Sequence, residues 1–360
     1  MSEMPNNKFQ HFPDDCEEFI DHPSHSRPGI HVLHDRLYVV TCIFNPLRFR
    51  NRYWNYHLFE NMVQRSGALL YTVELAFGNR EFEITDSNNL THLQLRVKDN
   101  QEIWLKENAL NCLIERLPQE ARYIAWLDAD VEFVRPDWAQ ETIQLLQHYK
   151  FLQMFSHAQD LGVNYEPAVM TPGHVLGVLN GDINATTNET NNGYYYGVVE
   201  KGKLWRVQHP GFAWAARKEA LSEVGGLIDW AILGSGDWIM ANALFGKVDR
   251  TINAGYTDSY KKLCHIWQER AERNIRRNVG YMPGMIVHHF HGFKKDRNYD
   301  RRWELLVRTK YDPLVDLKKD VQGIYQLVDC GDDRSLELRD GLRKYARLRT
   351  EDTNTGIIVP

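Results

Sequence analysis

What this chain lacks narrows its class before any motif is considered. No apolar stretch approaches the ~20 residues that a bilayer-spanning helix needs. The opening MSEMPNNKFQHFPDDCEEF has neither the basic start nor the apolar core of a secretory signal, so the expected compartment is the cytoplasm. Cysteine is sparse: Cys16, Cys42, Cys112, Cys264 and Cys330 are scattered, odd in number and form no Cys-x-x-Cys pair. That argues against a zinc ribbon or a disulfide framework and for free thiols. Positive charge is in slight deficit, 43 Lys and Arg against 48 Asp and Glu for a net charge of −5. Nothing in bulk charge marks a phosphate-backbone partner, although a local basic groove is compatible with it. No Gly-rich phosphate loop and no internal repeat is evident. Sequon matches at Asn89, Asn184 and Asn188 read as chance matches in polar stretches.

What is present is the composition of a globular chain, 43% hydrophobic over 360 residues, enough for one large domain or two small ones. Residues 1–35 are polar and rich in Pro, His and Asp, and read as an N-terminal arm. Leu37 to Ile43 reads as a first buried strand, broken by Asn45-Pro46. Arg48 to Arg65 has helical spacing, Leu69 to Leu75 is a second strand, and Phe82 to Ile84 and Leu93 to Val97 are shorter strand candidates. Ile103 to Leu117 is the clearest helix and runs up to Pro118, after which Tyr123 to Leu127 forms the next strand. Strands separated by helices in this way predict an α/β fold with a mostly parallel central sheet flanked by helices. Beyond it lie a helix from Pro136 to about Tyr149, an apolar run from Phe151 to Phe155, and a long irregular region. Val207 to Ala216 is apolar again, and Arg217 to Val224 is a short helix closed by Gly225-Gly226. Gly234-Ser235-Gly236-Asp237 opens a helix to Leu244, Thr257 to Arg277 is a long amphipathic helix, and Met285 to Val287 is a last strand. The expected division is a main domain at 36–310, with halves 36–135 and 136–310, then a C-terminal helical extension and tail at 311–360.

The chemistry concentrates at Asp128-Ala129-Asp130. A buried strand that ends in Asp-x-Asp sets two hard oxygen ligands at its carboxyl edge, where open α/β sheets bind ligands. Such a pair suits a divalent cation that itself holds a diphosphate. Four further blocks accompany it: Val39-Val40-Thr41 with Asn45-Pro46; Lys106-Glu107-Asn108 with Asn111; Gly211-Phe212-Ala213-Trp214 leading to Gly234-Ser235-Gly236-Asp237; and Met285 to His291. In this order and spacing the chain resembles the GT-A (Rossmann-like) class of nucleotide-sugar-dependent glycosyltransferases. It is most similar to the galactosyltransferase and N-acetylgalactosaminyltransferase branch and its bacterial and phage relatives.

The resemblance implies a metal-dependent glycosyltransferase that takes a sugar from a UDP-linked donor, with Mn²⁺ or Mg²⁺ as cofactor. Asp130 would bind the metal, and Asp128 would face the ribose or a metal-bound water. Glu132 would stand behind them. Met285-Ile286-Val287-His288 matches a metal-binding Met-Ile-x-His sequence. His288, His291, Gly292, Arg297 and Tyr299 match a bacterial variant, so either His288 or His291 is the second metal arm. Asp237 would be the base of an inverting displacement; where the galactosyltransferases carry consecutive acids, this chain has one, followed by Trp238. Thr41, Asn45 and Arg48, with Arg52 as a further candidate, would hold the uridine, and Lys106 and Asn108 would reach the nucleotide. His209-Pro210-Gly211-Phe212 and Trp214 would wall the sugar pocket, while Lys294, Lys295 and Arg297 would offer cations to the diphosphate. Asn180 to Lys203, with Tyr194-Tyr195-Tyr196, reads as a lid or acceptor platform. Two alternatives stay open on the residues alone: a nucleotidyl- or phosphotransferase built on Asp128, Asp130 and Glu132, and a catalytically inactive nucleotide- or glycan-binding module. The acceptor, whether glycan, protein side chain or modified nucleobase, is open as well.

Overall fold

The computed structural model describes residues 35–99, 101–180, 199–200, 203–204, 208–299 and 301–352. The expected N-terminal arm up to residue 34, and most of the expected lid including Tyr194-Tyr195-Tyr196, lie outside the described residues. The chain runs β1 (Leu37–Phe44), α1 (Arg50–Arg65), β2 (Leu69–Phe77), β3 (His92–Val97), α2 (Lys106–Ile114), β4 (Tyr123–Leu127), β5 (Val131–Phe133) and α3 (Trp138–Leu146). It continues through β6 (Phe151–Gln153), β7 (His157–Leu161), β8 (Pro167–Pro172), α4 (His174–Leu179), β9 (Val199–Glu200), β10 (Lys203–Leu204), β11 (Ala213–Arg217), α5 (Lys218–Val224) and α6 (Gly236–Ala243). The remainder is α7 (Asp258–Asn274), β12 (Val279–Tyr281), β13 (Met285–His288), α8 (Trp303–Arg308), α9 (Pro313–Asp316), β14 (Leu317–Lys319), β15 (Tyr325–Leu327) and α10 (Asp333–Leu348).

The expected α/β class is borne out. Among the described residues the central sheet has seven strands in the order β12-β6-β11-β4-β1-β2-β3. Its pairs are parallel except where β11 runs against β4 and β6. Buried on both faces, β1 is apolar almost throughout, as a central parallel strand must be. Its side chains alternate sides. Leu37, Val39 and Ile43 pack with Phe59 and Val63 of α1 and Trp138 of α3; Tyr38, Val40 and Phe44 pack with Leu110 and Leu113 of α2.

A second sheet, β5-β13-β7-β8, is what positions the site. The apolar run of β4 ends at Leu127 and that of β5 begins at Val131, so Asp128-Ala129-Asp130 is the turn that carries the chain from one sheet to the other. β7 and β8 occupy the stretch expected to be irregular. His157–Leu161 alternates half-buried and buried residues, but Gln159 and Asp160 on such a short strand mask the period.

Other elements depart from expectation for local reasons. Phe82 to Ile84 is not a strand: the chain there wraps the buried Glu74 carboxylate, which accepts the backbone N–H groups of Glu83, Ile84 and Thr85 at 2.8, 3.0 and 2.8 Å. The clearest expected helix is shorter at both ends, since Ile103 and Leu105 are buried ahead of α2 without being helical. At the C-terminus a hairpin, β14–β15, interrupts the expected helices. The described residues from Asp35 onward fall in one compact unit.

Candidate active site and metal centre

Register brings the distant metal candidates together. β13 pairs antiparallel with β5, setting His288 opposite Val131, and the His289 N–H donates to the Asp130 carbonyl at 2.8 Å. Asp130, His288 and His291 thereby each offer one donor atom within 4.8 Å of the other two. Nε2 of His291 lies 3.0 Å from Asp130 Oδ2, 3.0 Å separates the Nε2 atoms of His288 and His291, and His288 Nε2 is 3.8 Å from Asp130 Oδ1. His289, between them in sequence, turns the other way to Glu132 at 3.4 Å, as strand alternation requires.

The donor set fits a divalent cation. Asp130 Oδ1 is buried with no hydrogen-bond partner, a costly state for a carboxylate oxygen unless an ion completes it. Two imidazole nitrogens facing each other at hydrogen-bond distance are likewise suited to a shared cation. Burial by itself would raise the Asp130 carboxyl, but His291, His288 and Arg297 outweigh it and hold the group below the ordinary carboxylate range. Burial lowers His288 against the pull of Asp130 and Asp160, which favours the neutral ring that ligates metals.

Each imidazole also has a carboxylate behind it. β13 pairs parallel with β7 so that His288 stands opposite Asp160, and His288 Nδ1 is 2.7 Å from Asp160 Oδ1. His291 Nδ1 is 3.6 Å from Glu351 Oε2. Arg297 Nη2 lies 3.1 and 2.9 Å from the two ring nitrogens of His291, an equidistant approach that sets the guanidinium over the ring. Its Nη1 donates to the Tyr299 hydroxyl at 3.2 Å.

The other end of the cleft is built from strained backbone. Asp237 lies in the first turn of α6, behind Gly234 at φ +81° and Ser235 at φ +74°. Positive φ is costly for a serine, and Arg302 holds it there by donating to Ser235 Oγ. Arg302 in turn packs over Trp303 at 4.4 Å and Tyr299 at 4.7 Å. A Cβ at Gly211 would come 2.3 Å from Asp237 Oδ2, so glycine there makes room for the carboxylate. Asp237 Oδ1 accepts its neighbour Trp238 N–H at 2.8 Å. Burial raises the Asp237 carboxyl; Lys106 opposes that rise and Asp128 adds to it.

Lys106 lies between these acids. Its ammonium donates to Asp128 Oδ1 at 2.7 Å and is 3.6 Å from Glu107. Asp128 therefore stands apart from the grouped donors of Asp130, His288 and His291, with its Oδ1 held by Lys106. Lys106, Asp128, Asp130, Asp237, His288, His291 and Arg297 line one cleft, joined by Arg52.

Other expected contacts are directed elsewhere. Thr41 is fully buried and donates to the Leu127 carbonyl at 2.8 Å, tying β1 to β4. Asn45 closes the turn before α1 through Phe49 N and O, each at 2.9 Å. Arg48 is exposed and pairs with Glu83. Asn108 points away from Lys106 round the helix and holds the C-terminal hairpin, donating to Gly323 O at 3.1 Å and accepting Tyr325 N at 2.9 Å. Trp214 is buried, its indole donating to Pro210 O at 2.7 Å. The side chains of Lys294 and Lys295 lie outside the described residues. Sequence reading assigned no part to Asp160, Glu351, Trp104, Arg302 or Arg349, of which the last three also line the cleft. Of these, Asp160 alone carried a signal, an acid on the buried face of an alternating segment.

No protein-family model matches the chain, and no curated protein matches it. Solved structures do. One is the catalytic domain of Drosophila β1,4-galactosyltransferase 7 in complex with xylobiose, at 10% identity, covering 61% of this chain and 63% of that one with a TM-score of 0.28. Another is a mutant of the Drosophila enzyme in complex with manganese, UDP-Gal and xylobiose, at 12% identity, covering 84% of this chain and 98% of that one with a TM-score of 0.37.

Proposed function

We propose that the chain is a metal-dependent glycosyltransferase of the GT-A type, moving a sugar from a UDP-linked donor to an acceptor hydroxyl with inversion. The observation that carries this reading is the coexistence, in one cleft, of a carboxylate–imidazole cluster with both imidazoles buried and a separate half-buried carboxylate with a raised proton affinity. Asp130, His288 and His291 would hold the cation; two imidazoles among three protein donors favour Mn²⁺ over Mg²⁺. When bound, the cation would offset the negative charge that gathers on the diphosphate as it leaves.

The chain's own residues supply the rest. Arg297, buried in the cleft wall, and Arg52, half-buried beside it, are cations suited to phosphate oxygens. Asp237 accepts the proton of the attacking hydroxyl as the new carbon–oxygen bond forms and the sugar–diphosphate bond breaks, leaving UDP. A carboxylate raised toward the working pH suits that task, because a more basic acceptor takes the proton more readily in the transition state. Lys106, paired with Asp128, holds positive charge beside Asp237 and so keeps its carboxyl ionised against the effect of burial.

The test is calorimetry with Mn²⁺ and UDP, followed by donor hydrolysis across a panel of UDP-sugars. Metal-dependent UDP binding with cleavage of at least one donor is expected. Binding of neither Mn²⁺ nor UDP would sink the reading. UDP binding without turnover by wild-type protein would point instead to an inactive binding module.

A further inference from the structure

The end of the described chain returns to the metal centre. Beyond α10, Asp352 accepts the N–H groups of Arg50 and Asn51 at the start of α1 at 2.8 and 3.0 Å, and Asn51 Nδ2 donates to Glu351 O at 2.7 Å. The segment lies so close over the histidine loop that a Cβ at Gly292, where φ is +93°, would meet Thr350 O at 2.9 Å and the Glu351 Cα at 3.0 Å. Glu351, only 1% exposed, is thereby driven inward. It accepts from Arg52 Nη2 and Arg349 Nε, each at 2.8 Å, and presents Oε2 to His291.

The second histidine follows the first in a looser form. His288 turns Nε2 to the donor cluster and Nδ1 to Asp160 at 2.7 Å; His291 turns Nε2 to the cluster and brings Nδ1 to 3.6 Å from Glu351, an ion-pair distance that a small movement closes to a hydrogen bond. A carboxylate behind a ligating imidazole sets which nitrogen carries the proton and makes the other a better ligand. We infer that Glu351 is a positioning residue for the metal centre, and that the strap formed by residues 349–352 completes the site by fixing His291. The inference rests on the metal-binding reading of Asp130, His288 and His291. It makes residues 349–352 part of the active centre, although sequence reading assigns them to a polar tail.

A double-mutant cycle on Mn²⁺ affinity tests it, read by calorimetry or by the electron paramagnetic resonance signal of free Mn²⁺, with the thermal midpoint of metal-free protein as the control on folding. Glu351→Gln is expected to weaken Mn²⁺ binding about ten- to a hundredfold, and to cost nothing further in a His291→Ala background. Should Glu351→Gln fail to fold, Glu351→Asp enters the same cycle. It keeps the charge for Arg52 and Arg349 while drawing back from His291, and the same non-additivity is expected. Unchanged affinity in the folded variant, or the same loss in both backgrounds, overturns the inference while leaving the metal site standing. Wild-type protein that binds no Mn²⁺ overturns both.

Discussion

The two ends of the cleft are held by opposite means. At the proposed metal end, position comes from strand register: β5 against β13 brings His288 beside Asp130, and β13 against β7 aligns Asp160 with His288. At the base end, position comes from strain and close packing, with Ser235 at positive φ, Arg302 clamping it, and Gly211 leaving space for Asp237. A ladder of backbone hydrogen bonds places a side chain whatever its type, so single substitutions at the metal end remove a ligand without moving the frame. A strained loop depends on every contact that holds it, so the base end is sensitive to substitutions in residues that never touch a substrate.

That contrast can be broken by measurement. The largest effect is expected from Asp130→Ala, which removes the buried orphan oxygen and should abolish metal-dependent UDP binding, with the thermal midpoint of the metal-free protein little changed or raised. A clear drop in that midpoint would show that the metal end also carries the fold. Asp237→Asn comes next: Mn²⁺ and UDP affinities should persist while turnover falls by roughly 10²- to 10⁴-fold, the range for losing a general base. Full turnover in this variant would remove Asp237 from its role.

Gly211→Ala sharpens the comparison. Its added methyl group would strike the base, at 2.3 Å from Asp237 Oδ2, and turnover should drop by up to ~10²-fold with metal affinity intact, since small misplacements of a reacting group cost that much. If metal affinity falls equally, the two ends are not independent. A smaller effect is expected from Lys106→Met. Asp237 is raised by burial and Asp128 and is restrained by Lys106. Turnover needs the ionised base, so it should fall as pH drops through that raised value. Removing the lysine should shift the acid limb of the pH–rate profile to higher pH, and a limb that stays put would separate Lys106 from the base. Asn108→Ala should show the smallest functional effect. It loses two hydrogen bonds to the C-terminal hairpin, a cost of about 1–3 kcal/mol in unfolding experiments, with UDP and Mn²⁺ binding unchanged.

How far the site was legible follows the same division. The α/β class and the ends of β1, β4 and β13 could be read because buried strands leave apolar runs and polar breaks. Asp130, His288 and His291 could be read as candidates because the residue types that ligate metals are few and fall here in short motifs, and the structure brings their donor atoms together. Thr41, Asn45 and Asn108 hold backbone groups here, and sequence does not distinguish a buried Thr or Asn that serves a carbonyl or amide from one that serves a nucleotide. Asp160 was hidden in a short polar strand. Glu351 was hidden more deeply, since nothing within a few residues of it indicates burial.

The amino-acid sequence by itself determined the periodicities that make β1 and β4 core strands, the glycines that leave room at 211 and permit the positive φ at 234, and the chemical kinds of donor available. Whether those donors meet was decided by tertiary structure alone. Asp130 and His288 are joined by an antiparallel register between two short strands, and Glu351 reaches His291 because Asp352 anchors its segment to α1. Pairing and anchoring of this sort are set by the packing of whole sheets and helices, whose energy is spread over many weak contacts, and no local stretch of residues records it.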